Sequence, residues 1–327
     1  MNSGHAAGGA RSLLLIKPGS MGDVIHALPV ASAIRRAWPD VALTWVIDPR
    51  WAPLLEGNPA VSRVHLFPRQ DFRGPGGWVR AIRWYRALGR LRPDFVVDLQ
   101  GLLRSALMVK LSRGKVVAGL SDAREGARLF YDRSARTLRD EHAVFRYSRC
   151  LPLLGIPEPG RREFPIPAGT PCPLPSDFIV LHPFARGAGK SMEAGAIRAF
   201  VEEFQAAGAK RIVVVGVGEV PASLPGPVSD LSGKTSLPEL IGILRAARHV
   251  VSVDSGPMHL AAAIGTPMLG VHTWSDPRLV GPFNQEAWIW QGGRIRLQDF
   301  ATPPLEPKPF TPDAAREVAR FVARQTG

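Results

Sequence analysis

Two turns of the chain carry the polar residues best suited to chemistry: residues 19–23 (Gly-Ser-Met-Gly-Asp) and residues 254–259 (Asp-Ser-Gly-Pro-Met-His). Each follows a short apolar run, at 12–16 and 249–253, and each leads into a helical pattern. A helix that begins straight after a strand presents unpaired backbone N–H groups and the positive end of its dipole, which favours an anion or a sugar. The first turn ends on a carboxylate, which suits a general base. The second places a serine and a histidine around a glycine, which suits a phosphate site.

Both turns also have purely structural interpretations, which the residues leave open. Asp23 can act as a base only if it lies in a cleft and reaches an acceptor hydroxyl, whereas an aspartate in a first helical turn stabilises the helix in any case. In the second turn, Gly256 lets a phosphate approach the backbone and Ser255 can donate its hydroxyl. His259 could instead cap the helix or fill the core, and Asp254 could serve an Asx-type turn.

Two more glycine-rich loops follow predicted strands. Lys190 lies in the loop 184–192, where its charge could bind a phosphate. The glycine spacing there is not that of a Walker A motif, and a solvated lysine is the alternative. Residues 216–219 (Gly-Val-Gly-Glu) lack a dinucleotide fingerprint, because Pro221 stands where its third glycine would be. Glu219 could bind the hydroxyls of a ribose or be an exposed loop residue.

Charge is distributed unevenly along the chain, whose net charge is +13. Residues 1–168 hold 26 Lys and Arg against 14 Asp and Glu, which is +12, and residues 169–327 hold 15 against 14, which is +1. Such an excess indicates an anionic partner, which could be a nucleic acid, a phosphorylated substrate or an acidic membrane. A solvated basic face is the alternative.

Residues 78–91 favour the membrane among these partners, because their pattern predicts a basic amphipathic helix of the kind that lies on a membrane surface. The residues behind this prediction are a basic set (Arg80, Arg83, Arg90), a set spaced to face inward (Val79, Ile82, Leu88) and two tryptophans suited to an interface (Trp78, Trp84). After the next predicted strand, polar residues including Gln100, Arg104, Arg124, Arg128 and His142 predict an anion-binding wall in the first half.

The elements that must position these residues alternate between strands and helices. Strands are predicted at 12–16, 41–47, 95–98, 116–119, 178–182, 211–215, 250–253 and 268–271, mostly as the continuous apolar runs of strands buried on both faces of a parallel sheet. Helices are predicted at 24–38, 102–112, 142–154, 194–207, 237–247, 258–264 and 312–324.

A proline-rich stretch at 155–177 predicts a linker between two βαβ series. The sequence therefore predicts an α/β fold of two doubly wound Rossmann-like domains that face each other across a cleft, residues 1–165 and 166–327. The final helix could pack back on the first domain. No apolar run approaches the ~20 residues that span a bilayer, and the run after Arg11 is too short for a signal peptide. Cys150 and Cys172 form no disulfide framework, so a cytoplasmic protein is expected.

Together these motifs resemble glycosyltransferase family 9, the ADP-heptose–lipopolysaccharide heptosyltransferases, and most closely its heptosyltransferase I branch. The matching segments occur in the family's order. They are 17–26, 98–106, 122–125, 141–144, the loop of Lys190 and 253–260.

The resemblance implies a GT-B fold and an inverting transfer with no cofactor and no obligatory metal. It implies ADP-L-glycero-D-manno-heptose as the donor, the Kdo of a lipid A precursor as the acceptor and Asp23 as the catalytic base. The donor-binding residues it implies are Lys190, Gly216, Glu219, Ser255, Gly256, Pro257, Met258 and His259. The acceptor-binding residues it implies are Ser20, Met21, Gly22, Gln100, Arg104, Arg124 and His142.

The second turn departs from the family's usual pattern, because Ser255 and Pro257-Met258 replace a threonine and a leucine-serine pair and so remove one hydroxyl. A peripheral position on the anionic cytoplasmic face of the inner membrane is expected, and no nucleic-acid partner. Three alternatives stay open: a later heptosyltransferase that acts on a heptose acceptor, a nucleotide-binding dehydrogenase, and a non-catalytic protein that binds nucleic acid or membrane.

Overall fold

A computed structural model describes residues 12–187, 189–208 and 211–327. The chain divides into two compact units, Met1–Pro167 and Ala168–Gly327. Each unit contains one sheet whose central strands are buried runs rich in Leu, Ile and Val. Such runs form central parallel strands because helices cover the sheet on both faces.

The first unit has six strands and four α-helices among its described residues. They are β1 Ser12–Ile16, α1 Met21–Ala37, β2 Ala42–Ile47, β3 Arg63–Leu66, α2 Gly77–Leu88, β4 Phe95–Asp98, α3 Leu103–Ser112, β5 Val116–Leu120, β6 Arg133–Ala135 and α4 Ala143–Ser148. Short 3₁₀ helices occupy Ala52–Leu55, Arg69–Phe72, Ala127–Phe130 and Leu151–Leu154.

The first sheet has the strand order β3-β2-β1-β4-β5-β6, and its strands are parallel. The order reverses between β1 and β4, so the loops that follow these two strands open at the point where doubly wound sheets bind ligands. Right-handed crossovers place α2 and α3 on one face of the sheet, where they share a core with β1, β4 and β5. α1 packs against α4.

The second unit continues the chain with seven strands and five helices among the described residues. They are β7 Phe178–His182, α5 Ala194–Ala206, β8 Arg211–Val214, β9 Val228–Asp230, α6 Leu237–Ala246, β10 His249–Val253, α7 Gly256–Ile264, β11 Met268–His272, α8 Pro277–Val280, β12 Trp288–Gln291, β13 Arg294–Leu297 and α9 Pro312–Thr326.

The second sheet has the order β13-β12-β11-β10-β7-β8-β9, with only β13 antiparallel to its neighbour. Its order reverses between β7 and β10, so the loops after those two strands open side by side. The final helix, α9, packs against α5 within this unit through Ala315, Val318 and Val322. The sequence alone had also allowed α9 to pack back on the first domain.

The eight predicted strands are confirmed to within one residue at each end. Five strands were not predicted: β3, β6, β9, β12 and β13. Most of them are short or partly exposed, so they lack a continuous apolar run. α1 begins three residues before its predicted start, so it includes Asp23 in its first turn. The helix predicted at 142–154 is wrong beyond Ser148, where the chain turns into a 3₁₀ helix that contains Pro152.

The helix predicted within 78–91 is present as α2, but its orientation was partly wrong. Leu88 is buried as predicted, whereas Val79 and Ile82 are exposed rather than inward. Arg90 lies beyond the end of the helix. Trp84 is partly buried in an aromatic cluster, and its indole N–H donates to the Leu66 carbonyl at 2.6 Å.

Candidate functional site

Asp23 lies at the N-terminus of α1, and its two carboxylate oxygens have different partners. Oδ2 accepts hydrogen bonds from the backbone N–H and the hydroxyl of Ser20, at 2.9 and 3.0 Å. Oδ1 accepts a hydrogen bond of 2.7 Å from the Tyr147 hydroxyl and lies 3.4 Å from Lys17 Nζ. One oxygen therefore closes the helix end, and the other faces a tyrosine and a buried cation.

Lys17 supplies that cation from the residue directly after β1. Its side chain is only 4% exposed, and Nζ also donates to the Leu99 carbonyl at 3.1 Å and lies over the Tyr147 ring. Burial lowers the pKa of Lys17, and the charge of Arg146 acts in the same direction, while Asp23 opposes them. The ammonium group is therefore held in place by a carboxylate, a carbonyl and an aromatic face.

The pKa of Asp23 is lowered despite its partly buried position. Burial alone would raise it, but the charge of Lys17 and the hydrogen bonds from Tyr147 and Ser20 together outweigh burial. Asp23 is therefore ionised at neutral pH, which is the protonation state that a general base requires. Its side chain is 37% exposed, so the carboxylate remains accessible to a substrate.

A polar cavity of about 140 Å³ opens beside Asp23 within the first unit. Its lining comes from the loops after β1, β4 and β5 and from α4, and it includes Lys17, Asp23, Gln100, Asp122, Arg124, Arg146 and Tyr147. The lining holds both signs of charge: Arg146 is paired with Asp122 at 2.6 Å, whereas Arg124 has no ion-pair partner among the described residues. A free guanidinium at the rim suits an anionic substrate.

Asp98 lines the cavity and accepts the hydrogen bonds that fix the loop after β4. It is fully buried, and it accepts hydrogen bonds from the Tyr131 and Ser105 hydroxyls at 2.8 Å and from the backbone N–H of Gln100. Burial raises its pKa. These bonds fix the loop after β4, and the Gln100 side-chain oxygen is buried there with no hydrogen-bond partner among the described residues. A substrate hydroxyl could satisfy that oxygen.

The structure brings some of the predicted acceptor residues together and separates others. Gln100 and Arg124 line the cavity, and Ser20, Met21 and Gly22 begin α1 next to Asp23. Arg104 lies in the first turn of α3, outside the lining, and its buried Nε has no hydrogen-bond partner in the part of the chain that the structure describes.

His142 does not line the cavity. It is 1% exposed, its Nδ1 accepts the Val144 N–H at the start of α4, and its ring packs edge-on against His26. These contacts give His142 a capping role, so its prediction as an acceptor contact is not supported by its position.

The predicted phosphate turn begins α7, straight after β10. Ser255 is extended, and its hydroxyl lies 3.1 Å from His182 Nδ1 and 3.0 Å from the Val253 carbonyl. Gly256, Pro257, Met258 and His259 form the first turn of the helix. His259 is 7% exposed, and its Nε2 lies 3.8 Å from Asp254. The turn thus offers a serine hydroxyl and a helix N-terminus, with the histidine mostly buried behind them.

His182, the last residue of β7, links that turn to the neighbouring strand. Its Nδ1 contacts both Ser252 and Ser255 at 3.1 Å, and burial lowers its pKa to about 4, so the ring is neutral. A side chain at Gly216 would clash with its Nε2, because an added Cβ would lie 2.6 Å away. Gly216 therefore has a packing role, and its φ of 110° also favours glycine. Glu219 is exposed, with no hydrogen-bond or ion-pair partner among the described residues.

Lys190 lies in the loop after β7, with its Nζ 3.5 Å from the centre of the Trp274 ring. Trp274 comes from the loop after β11 and is 48% exposed. In the second sheet, β11, β10, β7 and β8 are consecutive neighbours, so the loops of Trp274, Ser255, Lys190 and Glu219 follow one another along the carboxyl edge. The predicted donor residues are therefore gathered on one edge of one sheet.

Local sequence patterns did not single out several polar or aromatic residues of these sites, among them Lys17, Tyr147, Arg146, His182 and Trp274. A signal existed for Lys17 and His182, because each is a polar residue at the end of a buried strand. No local pattern could show that Tyr147 bonds a residue 124 positions away. No group of three or more His, Cys, Asp or Glu within the described residues is placed to hold a metal ion, and no helix among them is long and apolar enough to cross a membrane.

Comparison with known proteins identifies the family of the chain. A sequence model of glycosyltransferase family 9 (heptosyltransferase) matches residues 81–168 and 204–307. The chain is 30% identical over 304 residues to lipopolysaccharide heptosyltransferase 1 of Pseudomonas aeruginosa, covering 84% of this chain and 81% of that one. It is 28% identical over 305 residues to the Escherichia coli K12 protein of the same name, covering 87% and 95%.

Among solved structures, the E. coli heptosyltransferase WaaC with ADP-2-deoxy-2-fluoro heptose is similar at a TM-score of 0.76 and 26% identity, covering 96% of this chain and 99% of that one. WaaC with ADP gives a TM-score of 0.77 at 25% identity, with the same coverage. The fold and its two sites thus define a glycosyltransferase of the GT-B class. The chain belongs to glycosyltransferase family 9, the heptosyltransferases.

Proposed function

We propose that this enzyme transfers L-glycero-D-manno-heptose from its ADP conjugate to the Kdo of a lipid A precursor, with inversion at the anomeric carbon. Asp23 Oδ1 removes the proton from the acceptor hydroxyl as the hydroxyl oxygen attacks the anomeric carbon. The bond between that carbon and the diphosphate breaks on the opposite side, and ADP leaves with the electron pair. No metal is required, because cationic side chains and a helix N-terminus can stabilise the departing diphosphate.

The observation that carries this proposal is the divided role of the Asp23 carboxylate. Because Ser20 holds Oδ2, the group has a fixed orientation, and Oδ1 points to the cavity side where Tyr147 lies. The lowered pKa keeps it ionised. In the cavity, the Arg124 guanidinium and the Gln100 side-chain oxygen have no partner within residues 12–187, 189–208 and 211–327, and they suit the carboxylate and hydroxyls of an acidic sugar.

The donor side of the proposal rests on the second unit. The Ser255 hydroxyl and the N-terminus of α7 suit a phosphate, and Lys190 adds a positive charge from the neighbouring loop. Gly256, Pro257, Met258 and His259 would provide the turn itself. Glu219 could bind the ribose, because it is exposed in the loop that follows β8. The two WaaC structures contain ADP and an ADP-heptose analogue, which supports this donor.

The acceptor assignment follows the names of the relatives. The proteins named lipopolysaccharide heptosyltransferase 1 from E. coli, Salmonella typhimurium and Pseudomonas aeruginosa are 27–30% identical to the chain over most of their length. The two E. coli proteins named lipopolysaccharide heptosyltransferase 3 are 22% identical over a similar length. A later transferase with a heptose acceptor is therefore the second candidate. A lipid-linked acceptor also supports action at the anionic cytoplasmic face of the inner membrane, and neither NAD nor nucleic acid is an expected partner.

The test is an assay of the purified chain with ADP-heptose and two acceptors, Kdo-lipid A and its heptosylated product. We expect heptose transfer and ADP release with Kdo-lipid A, without added metal and in the presence of EDTA. Transfer only to the heptosylated acceptor would move the assignment to the second candidate. Loss of activity with EDTA that added Mg²⁺ restores would contradict the metal-free mechanism.

A further inference from the structure

One face of the first unit combines exposed apolar side chains with arginines that have no ion-pair partner among the described residues. Eleven of the fourteen exposed large apolar side chains among the described residues lie in this unit, which also carries nearly all of the net positive charge. Six of the eleven lie on the adjacent helices α2 and α3: Trp78, Val79, Ile82, Leu103, Leu107 and Leu111.

The α3 leucines form a continuous stripe. Leu103, Leu107 and Leu111 are spaced four residues apart, so they lie on one side of the helix, and they are 53%, 44% and 36% exposed. The opposite side of α3 is also apolar and packs into the core of the sheet through Met108 and Val109. A helix that is apolar on both sides exposes a second apolar surface when only one side packs into the core, and such a surface indicates an interaction site.

An open groove of about 700 Å³ runs between the C-terminal ends of α2 and α3. Ile82 and Leu111 contribute its apolar part, and four guanidinium groups surround it: Arg86, Arg90, Arg92 and Arg113. None of the four has an ion-pair or hydrogen-bond partner for its side chain among the described residues. Between residues 77 and 115 there are nine Lys or Arg and only two carboxylates. Asp94 is paired with Lys115 and Asp98 is buried, so neither neutralises the groove.

Two of these arginines occupy backbone positions that would suit glycine. Arg92 has a φ of 41°, and Arg113, which ends α3, has a φ of 58°. Both values lie in the left-handed region, where a residue with a Cβ is strained and glycine is the usual choice. Arginine at both positions places two guanidinium groups beside the groove at some cost in backbone energy.

We propose that α2 and α3 form a docking surface for an anionic phospholipid bilayer. The leucine stripe and Trp78 insert between acyl chains, and the arginine groove binds a headgroup phosphate. The proposal rests on the proposed function, because a lipid-linked acceptor requires the enzyme to reach a membrane.

The composition of this surface selects the bilayer over other occupants. A second copy of the chain would bring two arginine clusters together, which is unfavourable. Single-stranded nucleic acid is bound by aromatic platforms, whereas this face is mostly aliphatic. A bilayer interface offers both phosphates and a hydrocarbon region.

The experiment measures binding of the full chain to vesicles of phosphatidylglycerol and phosphatidylcholine, without acceptor, by co-sedimentation. Arg92→Gly/Arg113→Gly removes two guanidinium groups and relieves the two strained positions, so the variant should fold. Each charge near an anionic surface is worth roughly fivefold in affinity, so we expect binding to weaken by about 25-fold. The matched control, Arg294→Gln/Arg324→Gln, removes two exposed charges from the second unit and should bind as the native chain does.

A second variant tests the apolar half. Leu103→Ser/Leu107→Ser should reduce vesicle binding on the order of tenfold or more, and Leu297→Ser, at a residue exposed to a similar degree in the second unit, should not. With ADP-heptose, both α2–α3 variants should raise the apparent KM for vesicle-embedded acceptor and leave kcat/KM unchanged for a deacylated, water-soluble acceptor.

Several results would overturn the proposal. Native binding by both variants would do so, as would equal, salt-independent binding to pure phosphatidylcholine. A concentration-dependent dimer that Leu103→Ser/Leu107→Ser abolishes would also overturn it, because the surface would then bind a second copy of the chain. Displacement of the chain from vesicles by an oligonucleotide at the same phosphate concentration would overturn it in favour of nucleic acid. Vesicle binding that depends on these residues in a chain without heptose transfer would instead refute the proposed function and leave the docking surface standing.

Discussion

Asp23 shows that a helix-capping role and a catalytic role can belong to one carboxylate. Its sequence position alone left these as alternatives, yet Oδ2 closes the start of α1 and Oδ1 faces Tyr147 and Lys17. A base held through its second oxygen loses little orientational freedom when the substrate binds. The cap therefore contributes to positioning the base.

Asp23→Asn separates the two roles. The asparagine oxygen can still accept from Ser20, but its NH₂ group then faces the Tyr147 hydroxyl and the Lys17 ammonium and cannot take a proton. We expect kcat to fall by ~10²–10⁴-fold and the melting temperature to decrease, because Lys17 loses its charge partner. Steady-state kinetics and calorimetry on the folded variant test this, with Asp40→Asn, at an exposed residue just after α1, as control. Native turnover by Asp23→Asn would exclude Asp23 as the base.

Tyr147→Phe should change the pH dependence of the reaction. The Tyr147 hydroxyl is one of the groups that lower the pKa of Asp23, so its removal raises that pKa. A base is active when deprotonated, so the acid limb of kcat/KM should move to higher pH in the variant. Tyr131→Phe is the control, because Tyr131 bonds Asp98 instead. An acid limb that coincides with that of the native enzyme would mean that the Tyr147 bond does not control the base.

At the scale of elements, the parallel sheet edge brings separate loops of the second unit together. The loops after β7, β10 and β11 are neighbours because their strands are, and they carry Lys190, Ser255 and Trp274. Lys190 Nζ lies over the Trp274 ring, 3.5 Å from its centre. A cation held over a ring keeps a defined position with its charge available.

Lys190→Ala should weaken ADP binding by about tenfold or more, since a hydrogen bond to a charged group is worth ~1.5–3 kcal/mol. In the native chain, ADP at ~100 times its dissociation constant should stabilise the fold by ~2.7 kcal/mol. Thermal shift and calorimetric titration measure both effects, and Lys308→Ala, at another exposed lysine of the second unit, is the control. Unchanged ADP affinity would make Lys190 a solvated loop residue.

At the scale of the whole molecule, the two units differ in net charge, and buried histidines make the stability of the second unit depend on pH. The second unit is nearly neutral, but it buries three histidines whose pKa values burial lowers: His182 and His249 to about 4 and His272 to about 3. Each ring is neutral in the folded chain and would gain a proton on unfolding below pH ~6.5. Below that pH the unfolded chain binds more protons than the folded chain, so the free energy of unfolding decreases as the pH decreases.

We therefore expect the free energy of unfolding of the second unit to be largest above pH ~6.5 and to decrease towards pH 4, by up to ~1.4 kcal/mol per pH unit for each histidine. His249→Gln removes one titrating group that lies away from the donor site. It should therefore reduce the pH dependence of the unfolding free energy by up to ~1.4 kcal/mol per pH unit, the contribution of one proton. Calorimetry between pH 4.5 and 7.5 tests this. An equal slope in the native chain and the variant would mean that His249 is not buried in its neutral form.

The sequence by itself determined the family, the two α/β units and the position of most site residues along the chain. It could do so because these features are local: continuous apolar runs identify buried strands, and small-residue turns identify the helix starts at Asp23 and Ser255. A parallel sheet then requires those turns to lie at its carboxyl edge.

Only the tertiary structure decided which side chains meet. Tyr147 bonds Asp23, 124 residues away, and Trp274 contacts Lys190 from the loop after β11. His142 is buried and caps α4. It also decided which face of α3 is exposed, because a helix with apolar residues on both sides has no pattern that distinguishes its core side from its outer side. The physical reason is that long-range contacts depend on how the elements pack, and one chain's local pattern does not encode that packing.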